Sequence, residues 1–174
     1  EQAQQAEQLE KAAVSQPENT EATDTIARPP LAELKQSDIE AWFATQGWAP
    51  FEYQQQVWRA FQKGHSGLLH ATTGAGKTLA VWLGALLRMA QLYSKGHKTR
   101  GAATRIMWIT PMRALAADST KALQKSLAAL AGDCDVAMQT GDTDSAARAA
   151  ILRKPPFALV TTPESLTLMF TRAS

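Results

Sequence analysis

Eight consecutive residues, Ala71-Thr72-Thr73-Gly74-Ala75-Gly76-Lys77-Thr78, constrain this chain more than any other feature. They follow a short apolar run, Gly67-Leu68-Leu69-His70, and open a long helical pattern that starts near Leu79. A glycine-rich turn between a strand and a helix aims successive backbone N–H groups at one point, where the helix dipole also favours negative charge. The pattern A-x-x-x-x-G-K-T is that of a phosphate-binding loop with Ala in place of the usual first Gly. Gly74 and Gly76 permit backbone shapes that a Cβ would block. Lys77 is placed to reach β- and γ-phosphates, and the Thr78 hydroxyl is placed to ligate Mg²⁺. Thr72, Thr73 and Ala75 complete the expected cradle, so ATP and Mg²⁺ are the expected cofactors.

The rest of the chain reads as one α/β domain behind a polar extension. Residues 1–30 are rich in Gln, Glu, Thr and Pro and lack periodicity after Ser15, which marks linker or disorder. From Leu31 to Ser174 helices and strands alternate. Ser37-Asp38-Ile39-Glu40 has the form of a capping box for a helix ending near Gly47. A second helix is expected over Glu52–Lys63, and a strand over Gly67–His70. The phosphate loop then leads into a helix running to about Tyr93. Further strands are expected at Arg105–Thr110, Asp135–Gln139 and Phe157–Thr161, each followed by a helix. Thr162-Pro163-Glu164 supplies an N-cap and a first-turn proline. Such alternation predicts a parallel sheet covered by helices on both faces, with ligands at the carboxyl ends of the strands.

Charge narrows the partners. Up to Asp24 six acidic residues face Lys11 alone, so the remainder carries 17 Lys/Arg against 10 Asp/Glu. A basic body suits a polyanion. No apolar run approaches the roughly 20 residues needed to span a bilayer, and no signal-peptide pattern opens the chain. The single cysteine, Cys134, excludes an internal disulfide and, placed in a strand-like run, reads as an ordinary half-buried thiol. His65, His70 and His97 lack metal-ligand spacing. An intracellular, cytoplasmic setting fits these features. Most of Trp42, Phe43, Trp48, Phe51 and Tyr53 read as core or staple residues.

Four further segments complete the pattern. Gln54, in Pro50-Phe51-Glu52-Tyr53-Gln54, offers an amide able to make two hydrogen bonds to adenine. Pro111 and Arg113, in Thr110-Pro111-Met112-Arg113-Ala114-Leu115, open a helix at a strand end and offer amides and a guanidinium to a phosphate. Thr140-Gly141-Asp142 follows the next strand, and Thr161-Thr162-Pro163-Glu164-Ser165-Leu166 repeats the strand-then-capped-helix arrangement. Taken in order, these segments resemble the Q motif and motifs I, Ia, Ib and Ic of a superfamily 2 DExH-box helicase. The wording P-M-R-A-L-A-A-D, T-G-D-T and V-T-T-P-E-S-L is similar to the large helicase-related (Lhr) family, and within it to the ligase-associated DNA-damage-response type.

That resemblance covers roughly Leu31 to Arg172. It implies a RecA-like first motor domain driving ATP-dependent, 3′-to-5′ movement on single-stranded or partly duplex DNA. It implies that Gln54 contacts adenine and that Lys77 and Thr78 act on the triphosphate. Pro111, Arg113, Thr140, Gly141, Thr162 and Pro163 would follow the backbone of the tracking strand. It places the protein in the bacterial cytoplasm, with the nucleoid. The acidic D-E-x-H motif of such motors is not in this sequence, so the chain is expected to be the N-terminal part of a longer enzyme, inactive by itself. An RNA helicase of the DEAD-box or Ski2-like type, or a P-loop module that binds ATP without touching nucleic acid, remains an open alternative.

Overall fold

The computed structural model describes residues 30–96 and 103–172. The polar extension therefore lies outside the described residues except for Pro30, as does much of the loop expected around residues 94–104. A 3₁₀ turn, Leu31–Glu33, is followed by α1 (Gln36–Thr45), α2 (Glu52–Gln62) and α3 (Lys77–Ser94). Then come β1 (Ile106–Ile109), α4 (Arg113–Leu130), β2 (Val136–Gln139), α5 (Ser145–Arg153), β3 (Ala158–Thr161) and α6 (Pro163–Arg172). The three strands are parallel and ordered β1-β3-β2. This is the expected α/β arrangement, a parallel sheet with helices around it.

Register explains which side of the sheet is buried most deeply. Ile106, Ala158 and Val136 stand side by side, as do Trp108, Val160 and Met138. Alternate residues on a strand share a face, so these six line one side, and all belong to or pack against the main apolar core. That core is completed by Trp82, Leu83, Leu86 and Leu87 of α3 and by Leu123 and Leu127 of α4. Trp82 meets Trp108 edge to face at 6.4 Å and donates its indole N–H to Ser126 Oγ at 2.9 Å. The polar tip of this buried indole is thereby satisfied, whereas the equally buried Trp58 has no partner for its Nε1 among the described residues. On the opposite face Met107 and Ile109 remain half-exposed.

The N-terminal helices attach through aromatics and one close approach. Phe43 of α1 packs edge to face against Trp58 of α2, Trp42 and Trp48, with centroids 5.6–6.1 Å apart. Of the five aromatics expected to be mostly core or staple residues, only Phe43 is buried; Trp42 and Tyr53 are partly buried, and Trp48 and Phe51 are exposed, while the core position is taken by Trp58. Helices α2 and α3 pack closely where Phe61 lies on Gly84, since a Cβ at Gly84 would stand 2.7 Å from Phe61 Cδ2. The Leu31 N–H donates to Asp133 Oδ1 at 2.9 Å, tying the first turn to the loop after α4.

Three expectations need correction. Residues 65–72, including the strand expected at Gly67–His70, have no regular structure, and Leu68 is 96% exposed. Apolar sequence alone does not make a strand; a ladder partner is needed, and among the described residues this segment has none. Helix α1 begins one residue before Ser37, and Asp38 rather than Glu40 closes the start, accepting the Lys35 N–H at 2.7 Å. An acid at the third helical position works as well with the cap one residue earlier. Cys134 sits just before β2 rather than within it.

Substituting Gly84→Ala gains helix propensity of about 1 kcal/mol but overpacks the α2–α3 contact, a penalty of about 1–3 kcal/mol. A net loss of stability is expected in urea unfolding, and it should shrink when Phe61 is replaced by Leu.

Candidate nucleotide and strand-binding site

The phosphate loop is braced from α2. Gly74 and Gly76 adopt φ of +82° and +81°, and Gly76 caps the start of α3. Lys77 Nζ turns back on the loop and donates to the carbonyls of Ala71 and Thr72 at 2.6 Å each. The Tyr53 hydroxyl donates to Ala75 O, and Gln54 Nε2 donates to Gly76 O at 3.2 Å. Gln54 Oε1 accepts the Phe51 N–H at 2.9 Å, closing the first turn of α2. With only 2% of Gln54 exposed, both ends of its amide are engaged within the protein, and the side chain joins α2 to the loop. Tyr53, absent from the expected site, makes the companion contact; its place beside Gln54 was the only sequence signal for it.

The loop suits a polyphosphate. Residues 71–78 contain one ammonium, several turn amides and no carboxylate that would repel an anion. Thr72, Thr73, Gly74 and Thr78 are exposed, and Ala75, Gly76 and Lys77 partly so. No three His, Cys, Asp or Glu side chains converge among the described residues. Thr78, the Mg²⁺ ligand expected from the sequence, is exposed in the first turn of α3.

The other expected contacts gather at the carboxyl edge of the sheet. Pro111 and Arg113 follow β1, Thr140 and Gly141 follow β2, and Thr162 and Pro163 follow β3. Because the strands are parallel and adjacent, the three turns lie side by side. The Thr110 N–H donates to Thr161 O at 3.0 Å, and Thr161 Oγ1 donates to Gln139 O at 2.7 Å, linking the strand ends laterally. Thr140 and Thr162 are buried. The Thr140 N–H is held by Thr143 Oγ1 at 2.9 Å, and Thr162 Oγ1 donates to Ser165 Oγ at 3.1 Å. These two threonines shape their turns from within, while Pro111, Arg113, Gly141 and Pro163 are exposed.

Arg113 does not stand free. Its Nη1 lies 2.6 Å from Asp142 Oδ1 and 2.7 Å from Oδ2, and its guanidinium covers Gly141, where a Cβ would come within 2.8 Å of Nη2. From the other side Arg148 Nη2 donates to Gly141 O at 2.9 Å. Neither Asp142 nor Arg148 was among the expected site residues, although Asp142 ends the Thr-Gly-Asp triplet.

A family model described as DEAD/DEAH box helicase matches residues 51–174. The chain belongs to the DEAD/DEAH box helicase family. It is 35% identical over 143 residues to an Lhr helicase of Mycolicibacterium smegmatis, covering 76% of this chain and 9% of that protein. To the Lhr helicase/uracil glycosylase of Escherichia coli K12 it is 38% identical over 144 residues, covering 75% and 9%. The chain thus spans about a tenth of the length of these relatives. Among solved structures, Mycobacterium smegmatis helicase Lhr bound to ssDNA and AMP-PNP superposes with a TM-score of 0.58 at 29% identity, covering 83% of this chain and 19% of that one. The fold is accordingly that of RecA-like helicase domains, and the Lhr resemblance holds.

Cys134 is no part of this site. Burial, then the neighbouring Asp133 charge and hydrogen bond and the Asp135 charge, push its thiol up to about 12 from an ordinary 9.0. Alkylation by iodoacetamide at pH 8 should be far slower than for a free thiol. Since the folded value is the higher one, any stabilisation from this thiol is complete below about pH 9 and lost as the pH rises towards 12. At the phosphate loop, Gly76→Ala forces a left-handed backbone on a residue with a Cβ, which would also lie 2.8 Å from Gln54 Nε2. Nucleotide affinity should fall about tenfold in a titration with a fluorescent ATP analogue.

Proposed function

We propose that this chain is the nucleotide- and strand-binding part of an ATP-dependent translocase acting on single-stranded or partly duplex DNA. The observation that carries this reading is the common carboxyl edge of β1, β3 and β2, which sets three turns in a row in a protein that also has a braced phosphate loop. The regular row suits a polymer with a regular backbone, since contacts to phosphate and sugar fix register without reading sequence. Two solved structures with a similar fold support the choice of partner. Mycobacterium smegmatis helicase Lhr was solved with ssDNA and AMP-PNP. The DUF1998 helicase MrfA, 26% identical with a TM-score of 0.62 and covering 80% of this chain and 18% of that one, was solved with DNA.

In this reading the residues divide the work. Bound ATP supplies the free energy of phosphoanhydride cleavage. Loop amides from Thr72 to Gly76 hold its phosphates, Lys77 leaves the Ala71 and Thr72 carbonyls to meet them, and Thr78 ligates Mg²⁺. Gln54 would contact adenine only by releasing the Phe51 N–H and the Gly76 carbonyl that engage its amide. Arg113 holds a backbone phosphate, with Pro111, Gly141 and Pro163 forming the surface along which the strand lies and Thr140 and Thr162 setting the turns. Movement from 3′ to 5′, a ligase-associated role in DNA repair, and residence with the bacterial nucleoid complete the proposal.

ATPase activity of the natural full-length protein should rise strongly with single-stranded DNA and disappear in Lys77→Ala. Greater stimulation by RNA would select the RNA-helicase reading, and ATP binding with no stimulation would leave a nucleotide-binding module. Arg113→Gln should weaken single-stranded DNA binding about three- to tenfold. The slope of log K against log salt should drop by about 0.7, the loss of one phosphate contact.

A further inference from the structure

The Arg113–Asp142 pair invites a question that the strand-binding reading leaves open: why a side chain meant for phosphate is met by a carboxylate in the adjoining turn. The pair is well formed but lies in water, with 61% of the Arg113 side chain and 69% of the Asp142 side chain exposed. A single nitrogen, Nη1, takes both carboxylate oxygens, at 2.6 and 2.7 Å, while Nη2 lies 2.8 Å from where a Cβ at Gly141 would stand. The turn that carries Asp142 is closed by the Thr140 N–H to Thr143 Oγ1 bond and by the Thr143 N–H to Thr140 O bond at 3.2 Å. Arg148 fastens the same turn through Gly141 O. The carboxylate is thus held in place by its backbone, whereas the arginine reaches it on a long flexible stem from the first turn of α4.

A carboxylate and a phosphodiester each offer a guanidinium two oxygens and one negative charge. We propose that Asp142 is a built-in competitor for Arg113: it occupies the guanidinium between strand contacts and recaptures it when a phosphate leaves. This rests on the proposal that Arg113 contacts the strand. The energetics suit the role, because exposed ion pairs are weak and exchange readily. An unpaired arginine would hold a phosphate more tightly, but a motor must break each such contact to advance. Asp142 sets a ceiling on that grip and is a positioning residue, acting on the strand only through Arg113.

Equilibrium binding and dissociation rates of single-stranded DNA, measured on full-length Asp142→Asn, Arg113→Gln and double-substituted protein, test this. Asparagine keeps an acceptor for Arg113 and removes the charge, and at an exposed turn it should leave folding intact. Asp142→Asn should bind about two- to fivefold more tightly, with slower dissociation, and the gain should vanish in the Arg113→Gln background. Unchanged or weaker binding by Asp142→Asn, with Arg113→Gln still weakened, would overturn the competitor while leaving the strand contact standing. An equal gain in the Arg113→Gln background would also overturn it, the effect then being bulk charge alone. No loss in Arg113→Gln would instead overturn the strand contact and the competitor with it.

Discussion

Parallel pairing of β3 between β1 and β2 is the constraint on which the site depends. Antiparallel neighbours would send alternate strand ends to opposite edges. Parallel ones require a crossover each time, and here α4 and α5 supply the helical part of those crossovers. Every crossover begins at the same edge, so each helix start adjoins a strand end. Turns with unsatisfied N-terminal amides accumulate there as a matter of topology. Packing of the buried Val160 and the partly buried Trp108 and Met138 against the core on one face fixes the register, because a one-residue slip would turn that row towards water.

The phosphate loop is held by a different principle. Its own bonds are few: the Ala75 N–H reaches Thr72 O at 3.3 Å, and Lys77 holds two carbonyls. Its position comes from neighbouring packing, through Tyr53 and Gln54 at the front of α2 and the Phe61–Gly84 approach at the back. Displacing α2 would move the loop, so the apolar packing of Trp58 and Phe43 bears on the geometry around Lys77.

Much of this was legible in the sequence. Helices α2 to α6 and strands β1 to β3 follow from hydrophobic periodicity and from Pro and Gly punctuation, with ends shifted by only a residue or two. The phosphate loop and the three strand-end turns were readable because their residue types serve local backbone needs. Gly67–His70 misled because its apolar run meets the composition of a strand, and composition carries no information about partners. Gln54 is a subtler case. Its amide chemistry was evident, but its burial between Phe51 and Gly76 depends on tertiary packing. Asp142 could not be recognised as a partner of Arg113, since the two lie 29 positions apart and meet only once β1 and β2 are in one sheet.

The lateral lashings of the strand ends have a mechanical meaning. Thr161 ties β3 to β2 through its hydroxyl and to Thr110 through its carbonyl, so the three turns form a stiff comb. Bonds between neighbours inside a packed sheet deform little, and the spacing of the teeth is therefore fixed. A chain drawn across such a comb finds rest positions only where its own repeat matches that spacing. On the proposed translocase reading, advance would be quantised by the polymer rather than graded by the protein, and the elasticity needed to pass from one rest position to the next would reside in side chains such as Arg113.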